Sequence, residues 1–109
     1  MATQEEINGI FPAMVNNFQA DKAGDAAVTI QFDLTGDNGG TYWVKVNGGS
    51  ATHGAGATEA DMTVKAAADD FLSIVNGTMN PMNAFMMGKI KVTDTNIALK
   101  MMNWFGLGS

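Results

Sequence analysis

Residues 28–49 read VTIQFDLTGDNGGTYWVKVNGG, and this stretch decides the fold. Val28, Ile30, Phe32 and Leu34 point to one side of an extended chain while Thr29, Gln31 and Asp33 point to the other, so one face of a strand is buried. The run from Gly36 to Gly40 turns the chain. Tyr42, Val44 and Val46 then alternate with Trp43, Lys45 and Asn47 in a second strand, which closes a hairpin. Gly48 and Gly49 turn the chain again. Residues 50–53 predict a short third strand and residues 62–65 a fourth, separated by a loop over 54–61.

Helical spacing flanks this block. Upstream, Thr3 and Glu6 stand in capping-box spacing. Ile7, Ile10, Phe11, Met14, Val15 and Phe18 follow at three- and four-residue intervals, one stripe of a helix that Pro12 should kink. Lys22, Ala23, Gly24 and Asp25 read as a turn. Downstream, Asp69 and Asp70 favour a helix start, Phe71, Leu72, Ile74 and Val75 follow, and Gly77 ends the helix. Asn80 caps the next with Pro81 in its first position, and Gly88 terminates it. Residues 89–93 alternate as a fifth strand. Asp94 caps a last helix reaching Phe105, with Ile97, Ala98, Met101, Met102 and Phe105 on one broad side. Strands and helices in blocks predict an α+β fold, helices on one face of a largely antiparallel sheet. Residues 1–109 show no repeat or linker and read as one domain.

Composition narrows the function. The 109 residues are 46% apolar but only 16% charged, with net charge −5, nine Met, no Cys and no Arg. Six lysines on an acidic chain do not make the cation cluster that neutralises phosphates, so nucleic acid is excluded as a partner. No apolar run approaches the ~20 residues that span a bilayer. The first residues lack the charged and apolar regions of a secretory signal, and Gly106–Ser109 is neither a peroxisomal tripeptide nor a prenylation box. The sequon Asn76-Gly77-Thr78 has no secretory context. The expectation is a soluble cytoplasmic protein.

Catalytic and metal signals are weak. His53 is the single imidazole and has no Cys nucleophile or spaced His and carboxylate partner, so it reads as a polar strand residue. Asp69 and Asp70 point about 100° apart on a helix, which suits helix-end charges better than paired acid–base chemistry. The glycines at 36–40 and Gly88-Lys89 lack the residues of a phosphate loop. Met79 and Met82 form an M-x-x-M pair that Cu(I) could use, but with no Cys or His nearby. No metal, cofactor or enzymatic activity is expected. Six of the nine methionines lie between Met79 and Met102. They suit either ordinary core, where Met fills irregular gaps, or a deformable wall for apolar ligands of varied shape.

The stretch NGTMNPMNAFMMGKIKVTDTNIALKMM, residues 76–102, resembles the hallmark of the sterol carrier protein 2 family, N-G-x-x-x-P-x-x-A-F-x-x-G-K-[IL]-K-[IV]. Residues 30–49 resemble that family's first hairpin, and residues 18–23 its F-[NQ]-x-[DE]-x-A junction. The resemblance implies a five-stranded sheet covered on one side by helices, with an apolar tunnel between them. It also implies non-covalent binding and intracellular transfer of a fatty acid, acyl-CoA, phospholipid or sterol/isoprenoid. An alternative is an accessory module presenting an isoprenoid or quinone-type lipid to a biosynthetic enzyme partner, since related domains occur fused to enzymes. The chain departs from the family at Thr93-Asp94, where a glycine is missing, so the family pattern does not fix where the closing helix sets the tunnel mouth. The C-terminal sequence also departs from eukaryotic members and favours a prokaryotic stand-alone form.

Burying some fourteen methylenes at ~0.8 kcal/mol each gives about 11 kcal/mol gross, against an association cost of ~4–15 kcal/mol, so micromolar binding is reasonable. The candidate walls are Phe71, Ile74, Val75, Met79, Met82, Phe85, Met86, Met101, Met102, Trp104 and Phe105, each equally readable as core. Lys89, Lys91 and Lys100 could meet anionic headgroups while an exposed C-terminus, Trp104–Leu107, touches a membrane surface. A solvated strand edge and helix face is the plainer reading of these lysines. Oligomeric state is not encoded in any pattern found.

Overall fold

In the computed structural model, which describes residues 2–107, the capping box forms as its spacing predicts. Thr3 Oγ1 accepts from the Glu6 N–H and the Glu6 carboxylate accepts from the Thr3 N–H, both at 3.1 Å. Helix α1 (Gln4–Asn16) follows and continues through Pro12. Its stripe buries Ile7, Ile10, Phe11 and Met14. Phe18 is a correction to that stripe: it lies beyond the helix end and packs its ring on Phe105, centroids 5.3 Å apart. The predicted turn after it contains one helical turn, α2 (Ala20–Ala23). Its entry is fixed by the Gln19 N–H, which donates to the Trp104 carbonyl at 2.7 Å.

Five strands follow as predicted, with β3 and β4 two residues longer and β5 shorter: β1 (Ala27–Thr35), β2 (Gly40–Asn47), β3 (Ser50–Ala55), β4 (Met62–Ala67) and β5 (Ile90–Val92). Their order is β3-β2-β1-β4-β5. All neighbours are antiparallel except β1 and β4. That parallel pair needs a return crossing, which residues 56–61 supply. The Thr58 N–H donates to Gln31 Oε1 at 2.9 Å, and Asp61 brackets Thr29 through its own N–H and its carboxylate, both at 2.8 Å. Three further helices complete the chain: α3 (Ala68–Val75), α4 (Pro81–Met86) and α5 (Thr95–Phe105). The class is α+β, as expected, with a mostly antiparallel sheet.

The core sits where the period of two sends it. Ile30 pairs with Val44 and Met62, and Phe32 with Tyr42 and Val64, on one face. Phe11 of α1 lies over Phe32 and Tyr42 at 5.2 and 4.7 Å, and Phe71 of α3 meets Phe32 at 5.3 Å. These rings fill the middle of the sheet, so an apolar space can survive only towards its β5 edge. On the opposite face the Trp43 indole lies across Gly54, its cross-strand partner. A Cβ at Gly54 would overlap the ring. Gly54→Val is therefore expected to cost ~1–3 kcal/mol. Thermal unfolding checks it, since each kcal/mol moves Tm by about 4–8 °C in a domain of this size. An unchanged Tm would mean that the indole moves aside freely.

Candidate functional site

Short-range chemistry places each wall of the site. Helix α3 starts directly from β4, and Asp69 Oδ1 in its first turn accepts the Ala2 N–H at 2.6 Å. This explains one member of the acidic pair: it ties the chain's start to α3. After α3 the N–H groups of Thr78 and Met79 both donate to the Ser73 carbonyl, at 2.9 and 3.1 Å. Asn80 Oδ1 then caps α4, accepting from the N–H of Met82 and Asn83 at 2.9 and 3.2 Å, with Pro81 in the first position. The Lys89 N–H donates to the Ala84 carbonyl at 2.9 Å and leads into β5.

The short link after β5 is stitched rather than loose. The Thr93 N–H donates to the Thr63 carbonyl at 3.1 Å, and Thr93 Oγ1 accepts from the Thr63 N–H at 2.9 Å. Asp94 at once caps α5, accepting from the N–H of Asn96 and Ile97 at 2.9 and 3.1 Å. Gly106, with φ of +67°, closes α5 in the left-handed conformation that a side chain resists.

Helices α3, α4 and α5 and strand β5 thereby enclose an apolar pocket at the sheet edge. Its walls are Phe71 and Ile74 from α3, Pro81, Met82 and Phe85 at α4, and Ile90 and Val92 from β5. Thr95, Ala98, Leu99, Met101 and Met102 from α5, and Leu107, complete them. The cavity measures about 120 Å³, and its empty space including the open mouth is about 640 Å³. Among the described residues Thr95 is the one lining residue with a polar side chain, and the surface turned to the pocket is almost wholly apolar, so the walls can take up a hydrocarbon chain. Met82, Phe85 and Leu99 are exposed and mark the mouth.

Of the candidate wall residues, Phe71, Ile74, Met82, Phe85, Met101 and Met102 come together around this pocket. The others do not. Val75 and Phe105 border a separate, more polar cleft with Asn17 and Gln19, and Leu107 stands between the two spaces. Met79 packs against the core and is not among the pocket's lining residues. Met86 is 79% exposed and lines neither space. The expected exposed C-terminus needs correction: Trp104 and Phe105 are only 4% and 2% exposed. The Gln19–Trp104 bond and the Phe18–Phe105 contact hold that end of α5 in the fold.

Pro81, Ile90, Val92, Thr95, Ala98, Leu99 and Leu107 line the pocket without having been candidates. A signal existed for some of them: Thr95, Ala98, Leu99 and Met102 recur at three- and four-residue spacing, one helical stripe beside the core stripe of Met101 and Phe105. His53 is exposed on strand β3. Among the described residues, no group of three or more His, Cys, Asp or Glu is placed to hold a metal ion. No helix there is long and apolar enough to cross a membrane.

Known proteins resemble this chain along most of its length. Mouse hydroxysteroid dehydrogenase-like protein 2 is 42% identical over 71 residues, which are 63% of this chain and 14% of that protein. The chain thus spans about a seventh of that relative. Among solved structures, the sec-alkyl sulfatase PisA1, in a double-mutant form, superposes with a TM-score of 0.79 at 19% identity, over 90% of this chain and 16% of the enzyme. The solution structure of palmitated SCP2L2 from Aedes aegypti gives a TM-score of 0.69 at 23% identity, over 89% of this chain and 88% of that one. At these identities the structural likeness is one of fold. The model of the SCP-2 sterol transfer family matches residues 14–106, and the chain belongs to that family.

Proposed function

We propose that the pocket between α3, α4, α5 and β5 holds one lipid hydrocarbon chain non-covalently and that the protein carries it between membranes. The observation that carries this reading is the wall itself: of the thirteen lining residues among those described, only Thr95 has a polar side chain, and three exposed residues give the chain a way in. The family, and an Aedes relative of the same fold described as palmitated, support a fatty-acyl ligand. The Met-rich side of the pocket, Met82, Met101 and Met102, can repack around chains of different shape. Among the described residues none of the wall is charged, so the polar end of the ligand belongs at the mouth rather than inside.

Binding of a fluorescent fatty acid to delipidated protein tests the reading. A Kd of about 10 μM, some −7 kcal/mol, is expected from the methylene term with the association cost at its low end of ~4 kcal/mol. Unlabelled palmitate should compete, and competition by cholesterol but not palmitate would move the ligand class to sterols. A second reading is favoured by one observation: the dehydrogenase-like relative and the sulfatase both carry this unit as a small part of a longer protein. On that reading the domain presents an isoprenoid or quinone-type lipid to an enzyme. The two part on partner-free transfer of the lipid between vesicles, which the first requires and the second does not.

A further inference from the structure

The exposed apolar residues pose a question that the pocket does not answer. Among the described residues the large hydrophobic side chains left exposed are Met82, Phe85, Met86, Met87 and Leu99: three of them line the pocket, and Met86 and Met87 directly follow Phe85 at the end of α4. Met82, Phe85 and Leu99 belong to the mouth, but Met86 and Met87, at 79% and 68% exposure, line no cavity. An apolar cluster of this kind on a surface marks an interaction site.

Charge is divided along the sequence. Residues 1–70 hold ten of the eleven carboxylates and three lysines, a net charge of −7. Residues 71–109 hold three lysines and one carboxylate, a net charge of +2, and that carboxylate, Asp94, is bound to the backbone as the α5 cap. Lys89 and Lys100 are exposed; Lys100 directly follows Leu99, and Lys89 follows Met87 after Gly88. Lys91 stands across from Lys65 in the β4–β5 pairing and belongs to the sheet. Helix α1 is also amphipathic, but it buries Ile7, Ile10, Phe11 and Met14 and carries Glu5 and Glu6 in its first turn.

We propose that Met82–Lys89 with Leu99 and Lys100 docks on the headgroup region of an anionic lipid bilayer, Met86 and Met87 entering the acyl boundary and the two lysines meeting the lipid charge. A second copy of the chain fits this face poorly. A self-paired interface would cover both pocket mouths and bring the lysines of one copy against those of the other. A bilayer accepts both features, and it leaves the mouth facing the phase from which a lipid enters. The proposal rests on the pocket reading for its purpose but is measured separately from it.

Flotation of the chain of residues 1–109 with vesicles tests it. Vesicles of phosphatidylcholine containing phosphatidylglycerol should carry the protein up, and vesicles of phosphatidylcholine alone should carry much less. High salt should weaken the difference, because exposed charges are screened. Met87→Glu and Lys100→Glu should each lower the bound fraction, by roughly tenfold and about fivefold in partition coefficient. Both positions are exposed and outside the pocket, so retained lipid, measured by extraction, and the unfolding temperature should stay at wild-type values. Equal binding to both vesicle types, no binding by folded protein, or variants that float like wild type would overturn the docking surface. So would a concentration-dependent dimer that Met87→Glu dissolves, since the second copy would then be what covers the patch. An empty pocket in protein that still floats would overturn the lipid-carrying reading and leave docking intact.

Discussion

Met102→Glu is expected to empty the pocket and leave the fold standing. Met102 lines the cavity on the same α5 stripe as Thr95 and Leu99, while the neighbouring stripe of Met101, Trp104 and Phe105 is buried in the core and is not touched by the change. A carboxylate in that wall must either stay charged against hydrocarbon or keep water in the cavity, at a cost of about 3 kcal/mol to a bound chain. That is a loss of roughly a hundredfold in affinity. Met82→Glu should do less, about tenfold, because Met82 is 48% exposed and its carboxylate can turn to water at the mouth. Met102→Leu, which keeps volume and polarity, should bind nearly as wild type. Fluorescent fatty-acid titration with circular dichroism on each variant separates lost binding from lost structure. Wild-type affinity in folded Met102→Glu would remove the pocket from consideration.

Phe71→Ala should give the largest loss of stability among the substitutions considered. The ring is 1% exposed, meets Phe32 at 5.3 Å and Phe11 at 6.2 Å, and forms part of the pocket wall. Removing it is expected to cost ~3–5 kcal/mol, set against a total stability of about 5–15 kcal/mol for a domain of this kind. The space it leaves opens into the pocket, so the variant should also admit bulkier ligands. Saturating fatty acid at about a hundred times Kd should return ~2.7 kcal/mol. Urea unfolding with and without palmitate reads both terms. A loss under about 1 kcal/mol would mean that the ring is not a keystone between helix and sheet.

Much of the fold was legible because its signals are local. The alternation of residues 28–46, the glycine turns, the Thr3–Glu6 box and the caps at Asn80 and Asp94 act over three or four residues, and each appears where its spacing puts it. The parallel pairing of β1 with β4 was not legible. It depends on a loop whose bonds run to Gln31 and Thr29, some thirty residues away in sequence. The candidate site divides the same way. Methionine reads alike in core and wall, so nothing in its type separates Met101, buried at 3%, from Met86, exposed at 79%. Trp104 near the end of the chain suggested exposure, but the bond from the Gln19 N–H to its carbonyl and the packing of Phe18 on its neighbour Phe105 hold that end of α5 in the fold, and neither partner is local to it. Thr95 and Leu99 did share a helical stripe with Met102, yet the broader Ile97–Phe105 side drew the reading away from them.

Native mass spectrometry of the purified chain, followed by organic extraction and identification of what is released, tests the central claim most directly. The account predicts a bound mass of one lipid per chain, lost in Met102→Glu and kept in Met87→Glu, with a released molecule carrying a long hydrocarbon chain. Protein that carries no extractable lipid and, once delipidated, takes up neither palmitate nor cholesterol would contradict it.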